Sequence, residues 1–180
     1  SVHSFNTLNI SPTQLEALDA LGYHTMTPVQ AKALPQALAK RDLIVRARTG
    51  SGKTATFGIA LLNDINPRFL GVQALVLCPT RELADQVAAE IRRLASRMAN
   101  IKVLLLCGGK PFGPQRDSLQ HGAHIVVGTP GRVKDHIDRQ TLDLSGVSIL
   151  VLDEADRMLE MGFADAMQAV VSRAPASRQT

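Results

Sequence analysis

The chain has 180 residues, 45% of them hydrophobic and 20% charged, which is enough to form one soluble domain with a sizeable core. No apolar run approaches the roughly 18 residues that a transmembrane helix needs, and the N-terminus lacks the basic-then-apolar pattern of a secretory signal. A net charge of +4 permits nucleic-acid binding, but aromatic residues make up only 3%, which argues against reading single strands by stacking many bases. Any nucleic-acid contact should therefore fall mainly on phosphate and sugar.

The N-terminal part predicts two helices. Ser11-Pro12-Thr13-Gln14 combines an N-cap Ser, a Pro at the first helical position and a Gln at the capping-box position. Gly22 is suited to end that helix, because glycine readily adopts the left-handed conformation of a C-terminal cap. A second helix is predicted from Thr27-Pro28 to about Ala39.

Five short apolar runs predict strands that are buried on both faces of a parallel sheet. They are rich in Leu and β-branched residues and alternate only weakly. Amphipathic stretches separate them, the clearest with Leu83, Val87 and Ile91 on one stripe. Because strand and helix alternate, the predicted fold class is α/β, with helices on both faces of the sheet in three layers. The runs are 43–46, 74–78, 103–107, 125–127 and 149–152.

Two cysteines, Cys78 and Cys107, each end one of these runs. They form no CxxC pair and have no histidine at metal-ligand spacing. We therefore expect buried, reduced thiols, which favours a reducing, cytoplasmic compartment.

A glycine-rich segment between the first run and a helical stretch has the pattern of a phosphate loop. Its backbone amides can close around phosphate oxygens at a helix N-terminus, where the dipole favours negative charge. Lys53 would reach the β- and γ-phosphates, and the Thr54 hydroxyl would bind Mg²⁺. A glycine-rich surface turn is the alternative, which the flanking strand and helix disfavour. The segment is Ala47-Arg48-Thr49-Gly50-Ser51-Gly52-Lys53-Thr54.

The acidic tetrapeptide Asp153-Glu154-Ala155-Asp156 directly follows the last apolar run. An acid at the end of a buried strand, opposite a phosphate loop, is placed to hold a metal ion. We expect Asp153 to hold Mg²⁺ through water, and Glu154 to orient and deprotonate the attacking water. The alternative, a solvated helix start, is disfavoured by the buried run before it.

Each predicted strand ends in a segment of small or charged residues. Ligands of open parallel sheets bind at the carboxyl edge of the strands, so these segments should share one rim. Two of them serve a nucleotide, and the other three combine small, helix-starting and basic residues, as phosphate contacts require. As a set they predict a polyanion track, although Thr129-Pro130 alone would equally predict a helix cap. The three segments are Pro79-Thr80-Arg81-Glu82, Gly108-Gly109-Lys110 and Thr129-Pro130-Gly131-Arg132.

Together these motifs resemble those of the first RecA-like domain of DEAD-box RNA helicases of bacterial type, over nearly the whole chain. The tetrapeptide at 153–156 spells the family's name, and the family's phosphate loop usually begins with alanine, as at Ala47. The resemblance implies one RecA-like ATP-binding domain over residues 1–180, with an adenine-recognition preface at 1–39 and a core at 40–180. It also implies an RNA-stimulated ATPase that uses ATP and Mg²⁺ to remodel RNA. The RNA backbone would be bound by Pro79, Thr80, Arg81, Gly108, Gly109, Thr129, Pro130, Gly131 and Arg132.

The resemblance further assigns the adenine side of the nucleotide site. Gln30 would recognise the adenine edge and Phe5 would stack on the ring, with Tyr23 and Thr25 alongside. From the residues alone, Phe5 predicts a core position and Gln30 a surface position on a helix. Asp156 is the candidate for coupling the ATPase to unwinding.

In the family, a Ser-Ala-Thr coupling motif and a second RecA-like domain with arginine fingers lie beyond the region matched here. We therefore expect residues 1–180 to be a monomer that binds ADP or AMP, hydrolyses ATP poorly and does not unwind RNA without that second domain in cis. Two alternatives remain open: a DNA translocase with the same phosphate-loop core, and a non-catalytic nucleotide-binding or RNA-binding module. A GTPase is disfavoured, because no Asn-Lys-x-Asp segment follows the phosphate loop.

Overall fold

A computed structural model describes residues 4–40, 42 and 52–180, which contain a parallel four-stranded sheet with helices on both faces. The strand order is β2-β3-β1-β4, and each pair of neighbours is parallel. These strands confirm four of the predicted runs to within one residue at either end. The predicted strand at 43–46 lies outside the described residues. The strands are β1 Ala74–Leu77, β2 Val103–Leu106, β3 Ile125–Gly128 and β4 Ile149–Leu152.

Helices precede the sheet and connect its strands. A short 3-10 helix spans Phe5–Thr7. The described part of the chain also has α1 Pro12–Ala20, α2 Pro28–Leu38, α3 Lys53–Asn63, α4 Arg81–Leu94, α5 Phe112–His121, α6 Pro130–Asp138, α7 Ala155–Glu160 and α8 Ala164–Arg173. None of these helices is both long and apolar enough to cross a bilayer.

The predicted helix-start signals lie at the N-termini of α1 and α2. The Ser11 hydroxyl accepts a hydrogen bond from the backbone N–H of Gln14 at 3.2 Å. The predicted capping box on α1 is wrong in its second half, because the buried Gln14 side chain donates to the Ile59 carbonyl instead, at 3.0 Å. On α2, Thr27 and Gln30 form a complete capping box. Gly22 follows the end of α1 with a φ of +82°, as predicted.

The sheet separates two hydrophobic clusters, because successive side chains of a strand point to opposite faces. Ala74 and Val76 of β1 belong to a cluster with α1, α2, α3 and α4. Leu75 and Leu77 belong to a second cluster with α6, α7 and α8. This confirms the three-layer α/β/α arrangement. Cys78 and Cys107 are buried and unpaired, as predicted.

Backbone hydrogen bonds hold the carboxyl ends of the strands together. The N–H of Cys78 donates to the Gly128 carbonyl at 2.9 Å, and that of Thr129 donates to the Leu106 carbonyl at 3.1 Å. The N–H of Asp153 donates to the Leu77 carbonyl at 2.9 Å. The segments that follow the four described strands therefore lie along one rim, as the sequence predicts.

Gly128, the last residue of β3, is packed closely against Leu106 of β2 and Val133 of α6. A Cβ at this position would lie 2.5 Å from the Leu106 carbonyl oxygen and 2.6 Å from Val133 Cγ2. We expect Gly128→Ala to lower the free energy of unfolding by about 1–3 kcal/mol, as overpacking does. Urea denaturation followed by circular dichroism measures it.

Gly113→Ala is the matched control, since its Cβ would make only an ordinary contact of 3.6 Å with Arg116. We expect this control to be neutral or slightly stabilising, because alanine suits a helix better than glycine. Equal stability of the two variants would contradict the close approach at Gly128.

Candidate functional site

A buried ion pair joins the first turn of α3 to the end of β4. Lys53 Nζ lies 3.1 Å from Asp153 Oδ1, and the two side chains are 23% and 2% exposed, respectively. Burial raises the pKa of Asp153, while the neighbouring ammonium of Lys53 opposes that rise. The second carboxylate oxygen, Oδ2, has no hydrogen-bond partner among the described residues. Because an unpaired buried carboxylate oxygen is costly, this atom marks a place for a cation or a water molecule.

The residues around this oxygen fit Mg²⁺ held mainly by a nucleotide. Thr54 follows Lys53 and lines the same cleft as Asp153. Mg²⁺ commonly takes one or two protein oxygens and completes its shell with waters and phosphates. Within the described ranges, no group of three or more His, Cys, Asp or Glu side chains forms an all-protein metal site. The donor set therefore suits a metal ion that arrives with phosphate.

Glu154 lies next to Asp153 in an unusual backbone conformation. Its φ of 53° and ψ of 53° place it in the left-handed region, where a non-glycine residue costs about 1–2 kcal/mol. The conformation turns the chain sharply from β4 into α7. Such strain is concentrated at functional sites, where the surrounding structure sustains it. Arg157, one helical turn further along, places its Nη1 3.9 Å from Glu154 Oε2.

A cleft of about 660 Å³ connects these groups to the N-terminal helices. Lys53, Thr54, Asp153 and Glu154 line one part of it, and Tyr23, Thr27 and Gln30 line another. Residues of α4 form a further wall. The volume is in the range of small-molecule and cofactor sites.

Gln30 is 1% exposed, so its predicted surface position is wrong. Its Oε1 accepts from the Thr27 backbone N–H at 2.9 Å, and its Nε2 donates to the Gly52 carbonyl at 3.2 Å. Gly52 has a φ of +89°, and a Cβ there would lie 2.5 Å from Gln30 Nε2. Glycine is therefore required at position 52 both for its conformation and for the space that Gln30 occupies.

Tyr23 is held by a partner that the sequence did not reveal. Its hydroxyl donates to Glu90 Oε1 of α4 at 2.5 Å, and Glu90 also pairs with Arg93. Burial and the Glu90 carboxylate raise the pKa of Tyr23 to about 12. The spacing of Glu90 and Arg93 on one helix predicts their own pairing. That spacing does not reveal that Glu90 also bonds to Tyr23.

The remaining predicted residues of the nucleotide site, and the predicted coupling residue Asp156, either do not line this cleft or lie outside the described residues. Phe5 is 3% exposed in the hydrophobic core, as its residue type predicts, and is not among the described residues that line the cleft. Thr25 is exposed and forms a backbone bridge with Ser4. Asp156 is exposed in the first turn of α7. Arg48, Thr49, Gly50 and Ser51 lie outside the described residues.

A second concavity, of about 580 Å³, lies at the ends of β1, β2 and β3. It brings together six of the predicted track residues. Four further residues complete its walls and had no sequence signal of their own: Lys134, Asp135, Asp138 and Phe163. The six predicted residues are Pro79, Arg81, Gly108, Thr129, Gly131 and Arg132.

Three predicted track residues lie outside these walls. Gly109 adjoins Arg81, since a Cβ there would lie 3.0 Å from Arg81 Nη1. Pro130 is buried at the first position of α6. Thr80 lines the first cleft instead, and its hydroxyl caps α4 by accepting from the Leu83 N–H at 3.2 Å.

Thr129 and Arg132 link the strand ends across this groove. Thr129 occupies the N-cap position of α6, but its hydroxyl accepts from the Gly108 N–H at 3.2 Å rather than capping the helix. Arg132 Nη1 donates to the Lys110 carbonyl at 2.6 Å. No carboxylate among the described residues lies within ion-pair distance of Arg81 or Arg132. The two acids that line the groove, Asp138 and Asp135, pair with Lys134 and Arg139 instead. Within the described part of the chain, the guanidinium groups of Arg81 and Arg132 therefore form no ion pair.

Comparison with known proteins gives a consistent result. Residues 27–180 match the family model of the DEAD/DEAH box helicases. The ATP-dependent RNA helicase DbpA of Escherichia coli is 61% identical over 98% of this chain, and the ATP-dependent RNA helicase DeaD of Klebsiella pneumoniae is 47% identical over 98%. The chain spans 39% and 28% of the lengths of these two relatives.

Solved structures agree with these sequence matches. A DEAD box protein from the hyperthermophile Methanococcus jannaschii superposes with a TM-score of 0.93, at 43% identity, over 98% of this chain and 48% of its own. A Saccharomyces cerevisiae Dbp5 variant bound to RNA and ADP BeF3 superposes with a TM-score of 0.90, at 32% identity, over 98% of this chain and 44% of its own.

The Lys53–Asp153 pair generates a stability prediction. We expect Lys53→Met to lower the free energy of unfolding of the nucleotide-free protein by about 1–3 kcal/mol, because a buried carboxylate loses its counter-charge. The double variant Lys53→Met/Asp153→Asn should be more stable than the single variant, since no buried charge is left unpaired. Urea denaturation at pH 7 measures both.

Lys134→Met is the control, because Lys134 pairs with Asp138 at the surface. Surface pairs contribute about 0–1 kcal/mol, so the control should change little. A double variant no more stable than Lys53→Met would show that Lys53 does not act by neutralising Asp153.

Proposed function

Because this chain belongs to the DEAD/DEAH box helicase family, we propose that it is the ATP-binding half of an ATP-dependent RNA helicase. The observation that carries the proposal is the buried Asp153 carboxylate, which pairs with Lys53 and leaves one oxygen without a partner. Asp153 lies on the same rim as a groove that contains the guanidinium groups of Arg81 and Arg132. Neither guanidinium forms an ion pair with a described residue. A nucleotide and an RNA backbone would then bind side by side.

The proposed domain is a single RecA-like unit over residues 1–180, with a preface at 1–39 and a core at 40–180. The packing of α1 and α2 into the same hydrophobic cluster as α3 and α4 supports one unit. The remaining length of the relatives would supply a second RecA-like domain in cis. That domain would bring the arginine fingers that phosphoryl transfer uses. We propose a cytoplasmic monomer.

In the nucleotide cleft, the phosphates would lie against the N-terminus of α3. Residues Arg48, Thr49, Gly50, Ser51 and Gly52 would enclose them. Mg²⁺, held by Thr54 and through water by Asp153, would neutralise charge on the phosphate oxygens. Lys53 would bind the β- and γ-phosphates with its ammonium, exchanging part of its interaction with Asp153 for the nucleotide.

The adenine would lie near Gln30 and Tyr23, which line the cleft. Phe5 and Thr25 are the further adenine-side residues that the family resemblance assigns, and neither lines the cleft in this structure. Gln30 supports this assignment because its amide keeps one N–H and one lone pair beyond its bonds to Thr27 and Gly52. Adenine offers an acceptor and a donor side by side on N7 and N6, which such an amide can pair.

Glu154 would act as the general base that orients the attacking water and takes its proton. Its side chain is more exposed than that of Asp153, which Lys53 already engages. The strained turn at Glu154 places the carboxylate at the cleft rather than along the strand. Asp156, in the next turn, is the proposed coupling residue.

RNA would bind in the second groove through its backbone. Arg81 and Arg132 would contact phosphates, assisted by Thr129, Pro79, Gly108 and Pro130 and by the backbone N–H groups of Thr80, Gly109 and Gly131. Pro130 begins α6, whose N-terminal dipole favours an anion. Contacts of this type read the shape and 2′-hydroxyls of RNA rather than its base sequence.

RNA-stimulated ATP hydrolysis tests the proposal. We expect the native protein to hydrolyse ATP faster with single-stranded RNA than with DNA of the same sequence, because only RNA offers 2′-hydroxyl contacts. A coupled phosphate-release assay measures the two rates. Equal stimulation by both strands would favour the DNA translocase.

Glu154→Gln tests the catalytic assignment. We expect kcat for ATP to fall by about 10²–10⁴-fold, because the amide cannot accept the proton of water. ATP and RNA affinities should change little, since the substitution is close in shape.

Glu160→Gln, at the exposed end of α7, is the matched control and should leave kcat unchanged. Unchanged turnover by Glu154→Gln would exclude Glu154 as the base.

A further inference from the structure

Gln115 on α5 connects three elements beside the second groove. It is 7% exposed, and its Nε2 donates to the Cys107 carbonyl, just after β2, at 3.1 Å. Its Oε1 accepts from Arg132 Nη1 of α6 at 3.0 Å. His136, one turn further along α6, lies with Nε2 at 2.8 Å from the same oxygen. One buried amide therefore joins the segment after β2 to two side chains of α6.

The partners of this amide determine the tautomer of His136. A carbonyl on one side and a guanidinium on the other require Gln115 to present Nε2 to Cys107 and Oε1 to Arg132. The Nε2 of His136 must then carry the proton that it donates to Gln115 Oε1. With Nε2 protonated, its Nδ1 is left as an acceptor 2.7 Å from the Thr141 hydroxyl, whose single proton it shares with the His136 carbonyl at 3.0 Å.

His136 is fully buried, and one face of its ring is covered by Phe112. Its ring stacks on Phe112 with centroids 4.1 Å apart and planes 11° apart, and the Arg139 guanidinium lies 4.3 Å from the centroid of the Phe112 ring. Burial, followed by the nearby charge of Arg132, lowers the pKa of His136 to about 4. The ring is therefore neutral at physiological pH, and its single N–H is committed to Gln115.

The end of this chain of bonds is Arg132. Its Nη1 donates both to Gln115 and to the Lys110 carbonyl, which belongs to the segment that follows β2. A guanidinium has five N–H donors, so Nη2 and Nε remain for a ligand in the groove. A side chain held in this way binds phosphate without first losing its conformational freedom.

We propose that His136 is a positioning residue for RNA binding, which acts through Gln115 to hold Arg132 in its phosphate-binding position. The inference rests on the proposed function, in that it takes RNA phosphate as the ligand of Arg132. A buried polar network costs desolvation energy and is worthwhile only when every member is satisfied. Here the bonds from His136 through Gln115 end at Arg132 in the groove, which supports a binding role in addition to a packing role.

Two substitutions of His136 separate these roles. A glutamine amide can reach the position of the ring Nε2, so His136→Gln keeps a donor for Gln115 Oε1. An asparagine amide reaches only the position of Nδ1, so His136→Asn loses that donor. Both variants lose the ring stacked on Phe112, so a packing role alone affects them alike.

The experiment uses the native protein and a fluorescein-labelled ten-nucleotide RNA, with anisotropy giving Kd at several salt concentrations. We expect Arg132→Ala to weaken binding about tenfold and to reduce the slope of log K against log salt by about 0.7, as for one lost phosphate contact. His136→Asn should weaken binding by about three- to tenfold, and His136→Gln should stay within about twofold of the parent. In the Arg132→Ala background, His136→Asn should add less than about a twofold change, because residues that act through one group are not additive.

Binding of a fluorescent ADP analogue reports folding in every variant and should not change. If His136→Asn does not bind the analogue, Gln115→Met removes the same link from α5, with the same expected loss of RNA affinity. Equal RNA affinity of the Asn and Gln variants, or additive losses in the double variant, would overturn the positioning role and leave the proposed function intact. Parent-like RNA affinity of Arg132→Ala would overturn both.

Discussion

The parallel pairing of β1 with β3 and β4 is the constraint on which both candidate sites depend. Parallel strands end at the same edge, so each segment that follows a strand must meet the others there. The backbone bonds from Cys78 to Gly128 and from Asp153 to Leu77 extend this pairing into the segments themselves. Leu77 and Asp153, which are 76 positions apart in sequence, are thereby adjacent in space.

The start of α4 forms a wall common to the two cavities. Pro79 and Arg81 line the groove assigned to RNA, whereas Thr80 and Glu82 line the nucleotide cleft. Successive residues of this segment therefore line different cavities. The Thr80 hydroxyl caps the N-terminus of α4 at the same point. A displacement of this turn would move residues that line both cavities.

Buried polar side chains give the sites their shape. Gln30 joins α2 to Gly52, Gln115 joins α5 to α6, and Asp153 joins β4 to α3. Each is nearly inaccessible to water, and each connects elements that hydrophobic packing alone would leave free to slide. Satisfied polar groups in the interior specify one arrangement, since any displacement leaves a donor or acceptor unpaired. The arrangement they specify is the one that places the charged groups at the rim.

The sequence by itself determined the α/β class, the four described strands and the helix starts at Ser11 and Thr27. It also determined which segments lie along the rim at the carboxyl ends of the strands. It could do so because strand burial, capping and the order of strand-end motifs are local patterns. The phosphate loop and the tetrapeptide at 153–156 were recognisable for the same reason, since their chemistry is contained in contiguous residues.

Only the tertiary structure decided which buried polar side chains form hydrogen bonds with distant parts of the chain. Gln30 read as a surface residue, yet it is buried beside the nucleotide cleft. No local pattern singles out His136, which is buried against Gln115. Their partners, Gly52 and Gln115, lie 22 and 21 positions away, and no local periodicity encodes such a separation. Long-range hydrogen bonds are selected by the packing of whole elements, so their geometry appears only once the helices are docked on the sheet.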